Sequence, residues 1–171
     1  MQALFKLTQK QSQQLQLVKS EATHIMSFGG SRSAKTFGII RTMIIRALAA
    51  ESSRHAILRF RFNHVKASVV LDTFPKVMSL CFKDITYELN KTDWYAEFPN
   101  KSQIWFGGLD DKERTEKVLG QEYATIFLNE CSQITWEPRN MAVTRLAQLV
   151  RITGTDKPLR LKMFYDCNPP A

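Results

Sequence analysis

Apolar residues near the N-terminus follow two different spacings, one typical of a strand and one typical of a helix. Residues 24–28 form a short apolar run that predicts a strand. From Lys35 onward the apolar residues recur at steps of three and four, which predicts a helix with one buried face. Before both, residues 2–19 predict an extended segment followed by a short helix that begins near Thr8.

A second strand and a second helix are predicted around residues 55–75. Residues 55–62 are interpreted as an alternating strand, and its inward face is Ala56, Leu58, Phe60 and Phe62. Asn63 is expected to cap a helical stretch that ends near Pro75, because proline disrupts the interior of a helix.

The rest of the chain continues this alternation of strands and helices. Residues 85–89, 94–98 and 103–106 predict an antiparallel meander, and residues 107–120 contain a short charged helix. A fully apolar strand at 124–128, a helix that has Pro138 in its first turn and runs to about residue 150, and a last strand at 159–165 follow. This order predicts an α/β fold with a mainly parallel central sheet, flanking helices and an antiparallel addition.

Composition limits the class of protein without naming a function. The chain has 171 residues, of which 44% are hydrophobic, so it suits one domain with a sizeable core. No apolar run is long enough for a membrane span and no signal peptide is present, so a cytosolic protein with no membrane partner is expected. The cysteines and histidines show no metal-ligand or disulfide spacing.

The charge of the chain points to a polyanionic partner. Lys and Arg number 24 against 16 Asp and Glu, a net charge of +8, and nucleic acid is the first candidate for such a surface. The alternative is that the excess reflects solvated faces and a few phosphate-binding side chains. Charge by itself leaves both interpretations open.

The segment between the first strand and its helix nearly matches a phosphate-binding loop. Residues 29–36 read Gly-Gly-Ser-Arg-Ser-Ala-Lys-Thr, against the pattern G-x-x-x-x-G-K-[ST]. Gly29, Lys35 and Thr36 occupy the places that cradle phosphate oxygens, reach the β and γ phosphates and bind Mg²⁺. Ala34 replaces the second glycine; it permits a tight turn at negative φ but is expected to exclude positive φ. The loop predicts a nucleoside triphosphate ligand.

Two polar residues follow the apolar strand at 124–128, as in a Walker B motif. Asn129 stands where an aspartate is usual, and its amide can bond a metal-bound water but carries no charge. Glu130 is fit to act as the general base toward water. The alternative for Glu130 is that it only ends a strand at the solvent boundary.

Together these segments resemble the ATPase domain of the large terminase subunit of tailed bacteriophages. An arginine inside the loop, Arg32, is typical of that family and unusual among other P-loop proteins. The segments that carry the resemblance are 29–36, 57–59 with 65–69, 106–111, 128–130 and 167–170. The likeness covers nearly the whole chain and implies a P-loop NTPase fold of the ASCE type.

The resemblance also implies roles for individual residues, with ATP and Mg²⁺ as cofactors. The nucleotide would be bound by Gly29, Gly30, Ser31, Arg32, Ser33, Ala34, Lys35 and Thr36, and the metal by Thr36 and, through water, by Asn129. Glu130 would be the catalytic carboxylate, Arg32 would stabilise the γ-phosphate, with Arg59 the next arginine to test, and Asn168 would couple nucleotide state to movement. Gln11 would contact adenine, although Gln9, Gln13 and Gln14 are close enough to serve instead.

By the same resemblance the protein is a motor that drives double-stranded DNA through a portal into a capsid. Its expected partners are the portal protein, the small terminase subunit and further copies in a ring, in the cytoplasm of the infected bacterial host. Large terminases continue into a nuclease domain, so residues 1–171 are expected to be the ATPase domain without nuclease activity. The alternatives are another nucleic-acid-dependent ATPase, such as a helicase, and a non-hydrolysing module that binds DNA or the portal.

Overall fold

A computed structural model of the chain describes residues 6–30 and 34–169. In these parts seven strands form one sheet, namely β1 (His24–Phe28), β2 (Arg54–Arg59), β3 (Glu88–Asn90), β4 (Tyr95–Glu97), β5 (Gln103–Gly108), β6 (Thr125–Leu128) and β7 (Lys162–Cys167). Their order across the sheet is β1-β7-β6-β2-β5-β4-β3. The first five in this order are parallel; β4 then pairs antiparallel with β5, and β3 pairs antiparallel with β4. The predicted α/β class, the mainly parallel sheet and the antiparallel addition are confirmed.

Helices cover both faces of this sheet. They are α1 (Gln9–Lys19), α2 (Lys35–Ala49), α3 (Phe62–Val65), α4 (Phe74–Cys81), α5 (Lys112–Leu119) and α6 (Trp136–Thr144), with a π-helical segment at Lys66–Thr73 and a 3-10 turn at Cys131–Gln133. α1 begins next to Thr8, as predicted, and the Thr8 side chain caps it. Among the residues that the structure describes, none of the helices combines the length and the apolarity that crossing a bilayer requires.

The second strand differs from the prediction of an alternating strand at 55–62. It ends at Arg59, and its four central residues are all buried. β2 lies between β5 and β6, so helices cover both of its faces and alternation is lost. Ile57 packs with the core on the side of α2, whereas Leu58 packs with the core on the side of α5 and α6.

Two predicted helix boundaries were also wrong. Arg61, not Asn63, precedes α3, and the helical stretch continues past Pro75 to Cys81. Pro75 lies in the first turn of α4, directly after the π-helical segment, where its missing N–H is tolerated. The change of helical pattern therefore removes the conflict that predicted an end at this proline.

The helix near Pro138 is shorter than predicted and the last strand lies further along. α6 ends at Thr144, because the backbone N–H groups of residues 147 and 148 donate to the carbonyl of Tyr123 instead of continuing the helix. β7 runs from Lys162 to Cys167, where it pairs with β1 on one side and β6 on the other. Long-range pairing decided both boundaries.

A buried polar network fixes α2 to the sheet. The Arg46 guanidinium donates from Nε to Thr125 Oγ1 at 2.8 Å and also to the carbonyl of Arg160. His55 Nδ1 shares a hydrogen bond of 2.8 Å with the same hydroxyl. Burial and the nearby Arg46 lower the pKa of His55 to about 3, so its ring is neutral near pH 7. The network holds α2, and with it Lys35, against β6.

Gly108 at the end of β5 predicts a mutational effect on stability. A Cβ there would lie 2.5 Å from the backbone nitrogen of Phe62 and 2.7 Å from Asp110 Oδ1, two atoms that hydrogen-bond to each other. Gly108→Ala is therefore expected to lower the free energy of unfolding by about 1–3 kcal/mol, the usual cost of overpacking. Denaturant unfolding checks this, with Gly30→Ala as the control, since a Cβ on Gly30 meets nothing within 4 Å. Equal losses in both variants would contradict the prediction.

Candidate nucleotide-binding site

Three neighbouring strands end beside the first turn of α2. Gly29 follows β1, Asn168 follows β7 and Asn129 follows β6, and these three strands are adjacent and parallel. The carboxyl ends of parallel strands lie at one edge of the sheet, which is where α/β proteins bind ligands. α2 begins at Lys35 on the same edge, and the N-terminus of a helix is suited to an anion.

The Lys35 ammonium lies at the centre of this edge. It donates to the carbonyls of Gly29 at 2.7 Å and Gly30 at 2.9 Å, and to Asn168 Oδ1 at 3.1 Å. These contacts place the ammonium between the predicted phosphate-binding loop and the end of β7, and its role toward phosphate stays a prediction. The predicted binding residues Ser31, Arg32 and Ser33 lie outside the described residues, so the roles assigned to them stay predictions.

Ala34 adopts the backbone conformation that the sequence argument excluded. Its φ is 58° and its ψ is 19°, in the left-handed region. A non-glycine residue there costs roughly 1–2 kcal/mol. Its carbonyl accepts the hydrogen bond from Gly38 N that starts α2, so helix formation helps to hold the strained residue in place. The substitution of glycine by alanine thus keeps the turn of the loop at a cost in stability.

Thr36 has a partner that the sequence analysis missed. Its hydroxyl donates to Asp166 Oδ2 at 2.6 Å, across 130 residues of sequence. Asp166 lies near the end of β7 and is only 1% exposed. A sequence signal did exist, because an acid near the end of an apolar strand resembles a Walker B acid, but no rule of spacing connects it to the loop.

Asn129 and Glu130 meet the same carboxylate. Asn129 Nδ2 donates to both oxygens of Asp166, at 3.0 and 3.1 Å, and the backbone N–H of Glu130 donates to Oδ1 at 2.7 Å. Continuing the pairing of β6 with β7 by one residue places Asn129 directly opposite Asp166. Glu130 has a φ of 52°, another left-handed residue, which costs roughly 1–3 kcal/mol and is a feature found at functional sites.

Asn168 connects the phosphate loop to the predicted catalytic carboxylate. Its Oδ1 accepts from Lys35, and its Nδ2 donates to Glu130 Oε1 at 3.4 Å. One amide thus contacts both side chains that the sequence analysis assigned to phosphate binding and hydrolysis. Asn168 and Glu130 are both only partly buried at this edge of the sheet.

The glutamines of α1 divide between capping and packing. Gln11 Oε1 accepts from the backbone of Thr8 at 2.9 Å, which completes the capping box of α1. Gln14 instead reaches toward the site, where it donates to Ser27 Oγ at 2.8 Å. A Cβ on Gly38 would lie 2.2 Å from Gln14 Oε1, so the glycine lets α1 approach α2 closely. An adenine contact by Gln11 stays a prediction, with Gln9, Gln13 and Gln14 as alternatives.

Arg59 lies at the same edge, one strand beyond Asn129. Its Nη1 donates to Ser68 Oγ at 3.1 Å, and its buried Nε meets no hydrogen-bond acceptor within residues 6–30 and 34–169. Because a guanidinium presents several donors, Arg59 keeps capacity for an anion near the site. It remains the next arginine to test after Arg32.

The oxygen atoms available as metal ligands at this edge suit a hard cation. Residues 6–30 and 34–169 contain no group of three or more His, Cys, Asp or Glu side chains that could hold a metal by themselves. The Thr36 hydroxyl, the Asp166 carboxylate and the Asn129 amide are oxygen-bearing groups, which fits Mg²⁺ shared with phosphates.

Cys131 is a free thiol beside Cys167, and burial with this neighbour raises the pKa of Cys131 to about 12, so it stays protonated.

The fold and the site define a class and a family. A mainly parallel sheet that is covered by helices on both faces, with α2 beginning beside the polar residues at the ends of β6 and β7, defines an α/β protein. The chain belongs to the phage terminase large subunit family, whose model matches residues 21–171. A search of curated proteins found no significant match.

Solved structures agree with this fold. The large terminase of a thermophilic bacteriophage is 15% identical, with a TM-score of 0.76 over 96% of this chain and 40% of that chain. The ATPase domain of the Thermus phage P74-26 large terminase is 14% identical, with a TM-score of 0.61 over 98% of this chain and 66% of that one. The HK97 bacteriophage large terminase is 11% identical, with a TM-score of 0.69 over 95% and 33%. The chain therefore spans less than half the length of the first and the third of these proteins.

Proposed function

We propose that this chain is the ATP-hydrolysing motor domain of a viral DNA-packaging terminase, which drives double-stranded DNA into a procapsid. The observation that carries the proposal is the contact of Asn168 with both Lys35 and Glu130 at the carboxyl edge of the sheet. Membership of the terminase family supports it. The large terminase of the thermophilic bacteriophage has been solved with ADP and with ATP-γ-S, which supports a nucleotide ligand.

The phosphate loop and α2 would bind the triphosphate. Backbone N–H groups of residues 29–36 would surround the phosphates, and the Lys35 ammonium would exchange its contacts with loop carbonyls for phosphate oxygens. The Thr36 hydroxyl and, through water, Asn129 would hold Mg²⁺. The bound cation would neutralise negative charge on the β and γ phosphates.

Glu130 would position and deprotonate the attacking water. Its carboxylate accepts a hydrogen bond from the amide of Asn168, which would orient it toward the nucleotide. As water adds to the γ-phosphorus and the bond to the β-γ bridging oxygen breaks, the proton passes to Glu130. Arg32 would stabilise the charge on the γ-phosphate, a role that rests on the sequence pattern of the loop.

Asn168 would couple the state of the nucleotide to movement. When phosphates bind Lys35, the ammonium would donate to them and its hydrogen bond to Asn168 Oδ1 would weaken. The same Asn168 amide also contacts Glu130. A change at the γ-phosphate would therefore reach the end of β7 through one side chain. Gln11 of α1 would contact the adenine.

The partners proposed for the motor follow from the family and from charge. Double-stranded DNA fits the net charge of +8. The portal protein, the small terminase subunit and further copies of the chain in a ring would complete the assembly, in the cytoplasm of the infected bacterium. The chain itself would contribute ATP hydrolysis and no nuclease activity.

The proposal is tested by ATP turnover and DNA packaging in the same preparation. The large subunit that carries these residues should hydrolyse ATP with Mg²⁺, and in the presence of procapsids it should protect DNA from added nuclease. Turnover that separates the strands of a duplex without procapsids would favour a helicase. Nucleotide binding without turnover under any condition would favour a non-hydrolysing binding module.

DNA binding by this chain is expected to be weak and strongly dependent on salt. A motor that moves along any sequence contacts phosphates, so log affinity should fall linearly with log salt, by about 0.9 for each phosphate contacted. Fluorescence anisotropy with two duplexes of unrelated sequence at several NaCl concentrations measures this slope. A complex that ignores salt and prefers one duplex would contradict the motor proposal.

A further inference from the structure

The buried carboxylate at this site lies on a different strand from the one that the sequence motif indicates. The strand end at β6 offers the uncharged Asn129 where an acid is usual, yet Asp166 of the neighbouring β7 stands directly beside it. Asp166 is 1% exposed, so its negative charge is buried at the edge of the sheet where the phosphates would bind. A buried carboxylate requires hydrogen-bond partners, and those that Asp166 has among the described residues belong to the site.

Each of these hydrogen bonds to Asp166 comes from a residue with a proposed role. Oδ2 accepts from the Thr36 hydroxyl at 2.6 Å and from the Asn129 amide at 3.1 Å. Oδ1 accepts from the same amide at 3.0 Å and from the Glu130 backbone N–H at 2.7 Å. Every partner donates, which is the pattern of a carboxylate that acts only as an acceptor.

These bonds would prepare Thr36 to bind a cation. Because the Thr36 hydroxyl donates its hydrogen bond to Asp166, the lone pairs of the hydroxyl oxygen are left for a positive ligand. The buried negative charge on Asp166 would also attract the cation, an attraction that the neutral Asn129 cannot provide. The Asn129 amide in turn keeps the carboxylate facing Thr36.

The same carboxylate would position the catalytic residue. Glu130 has left-handed backbone angles, and the bond from its N–H to Asp166 fixes the peptide that precedes the side chain. Asp166 therefore connects the metal side of the site, at Thr36, to the water side, at Glu130.

We propose that Asp166 supplies the carboxylate that supports Mg²⁺ in this protein, so that the acidic function of the Walker B position has moved from β6 to the adjacent residue on β7. The inference rests on the proposed function, because it requires that Mg²⁺ and a nucleotide bind at this edge. Asp166 acts as a positioning residue through Thr36 and Glu130.

The test compares nucleotide binding with and without Mg²⁺ in a charge-exchange series. Binding of a fluorescent ATP analogue is measured with Mg²⁺ and with EDTA for the parent chain, for Asp166→Asn and for the double variant Asn129→Asp/Asp166→Asn. Asp166→Asn is expected to reduce affinity for Mg²⁺, titrated into the nucleotide complex, by about 10- to 100-fold, as is typical when a residue that supports a metal ligand is lost. Binding in EDTA should change less than threefold, within about 0.7 kcal/mol.

The double variant shows whether the change in affinity for Mg²⁺ comes from the lost carboxylate or from altered packing. It keeps one carboxylate and one amide in contact but exchanges their strands, so it should recover most of the affinity for Mg²⁺. If Asp166 serves packing alone, Asp166→Asn will lower the thermal midpoint and weaken binding equally with Mg²⁺ and EDTA, and the exchange will restore neither. Failure of both variants to fold would likewise assign Asp166 to packing and overturn the inference.

The outcome also separates this inference from the proposed function. If the parent chain binds no nucleotide under either condition, the proposed function fails. If the parent binds nucleotide with a gain from Mg²⁺ and Asp166→Asn keeps the same gain, only the role of Asp166 is refuted. Asp156→Asn, which removes an exposed carboxylate paired with Arg151, is the matched control and should leave both affinities unchanged.

Discussion

Replacing Glu130 by glutamine is expected to slow ATP hydrolysis by about 10²- to 10⁴-fold, the range for loss of a positioned acid–base group. Glutamine has nearly the same shape and keeps an Oε1 that can accept from Asn168. The hydrogen bond from the backbone of residue 130 to Asp166 is also preserved, since it does not involve the side chain. The change therefore removes the proton acceptor and little else. Steady-state turnover with Mg²⁺ measures the effect.

Nucleotide affinity in Glu130→Gln should remain close to that of the parent, because the carboxylate does not hold the phosphates. Glu122→Gln provides a matched control, since Glu122 is exposed just before β6 and contributes nothing to the site. Its turnover should equal that of the parent. A Glu130→Gln variant that loses nucleotide binding, or whose thermal midpoint falls sharply, would show that Glu130 is structural and only ends the strand.

Replacing Lys35 by alanine is expected to abolish ATP-dependent DNA translocation and reduce ATP turnover to background. Its ammonium contacts Gly29, Gly30 and Asn168, all at the open edge of the sheet and none in the apolar core. Each hydrogen bond from a charged group to phosphate contributes about 1.5–3 kcal/mol. Loss of one such bond corresponds to roughly 10- to 150-fold in nucleotide affinity. Equilibrium binding of ATP-γ-S together with turnover checks the prediction.

The fold should survive this change, so the thermal midpoint of Lys35→Ala is the companion measurement. Lys91→Ala is the matched control, because Lys91 is an exposed lysine in the turn between β3 and β4. That variant should bind and hydrolyse ATP as the parent does. Parental turnover in Lys35→Ala would remove the phosphate loop from the proposed site.

The local sequence pattern was sufficient to predict much of the fold. β1, the start of α2 and the start of α1 near Thr8 lie where the sequence predicts, because strand runs and helical spacing are properties of neighbouring residues. The apolar run before Asn129 was also recognised as a buried strand. The errors occur where distant contacts compete with local preference, as in β2, which is covered on both faces, and in α6, which Tyr123 ends early.

The same distinction between local pattern and distant contacts applies to the candidate site. The sequence by itself determined the loop around Lys35 and Thr36 and the polar pair Asn129 and Glu130, since each motif is continuous in the chain. Only the tertiary structure decided that Asp166 reaches Thr36, that Asn168 contacts both Lys35 and Glu130, and that Ala34 accepts a positive φ. The physical reason is that apolar periodicity encodes which residues are buried, whereas the order and register of parallel strands arise from packing the whole sheet, and that order brings β7 between β1 and β6.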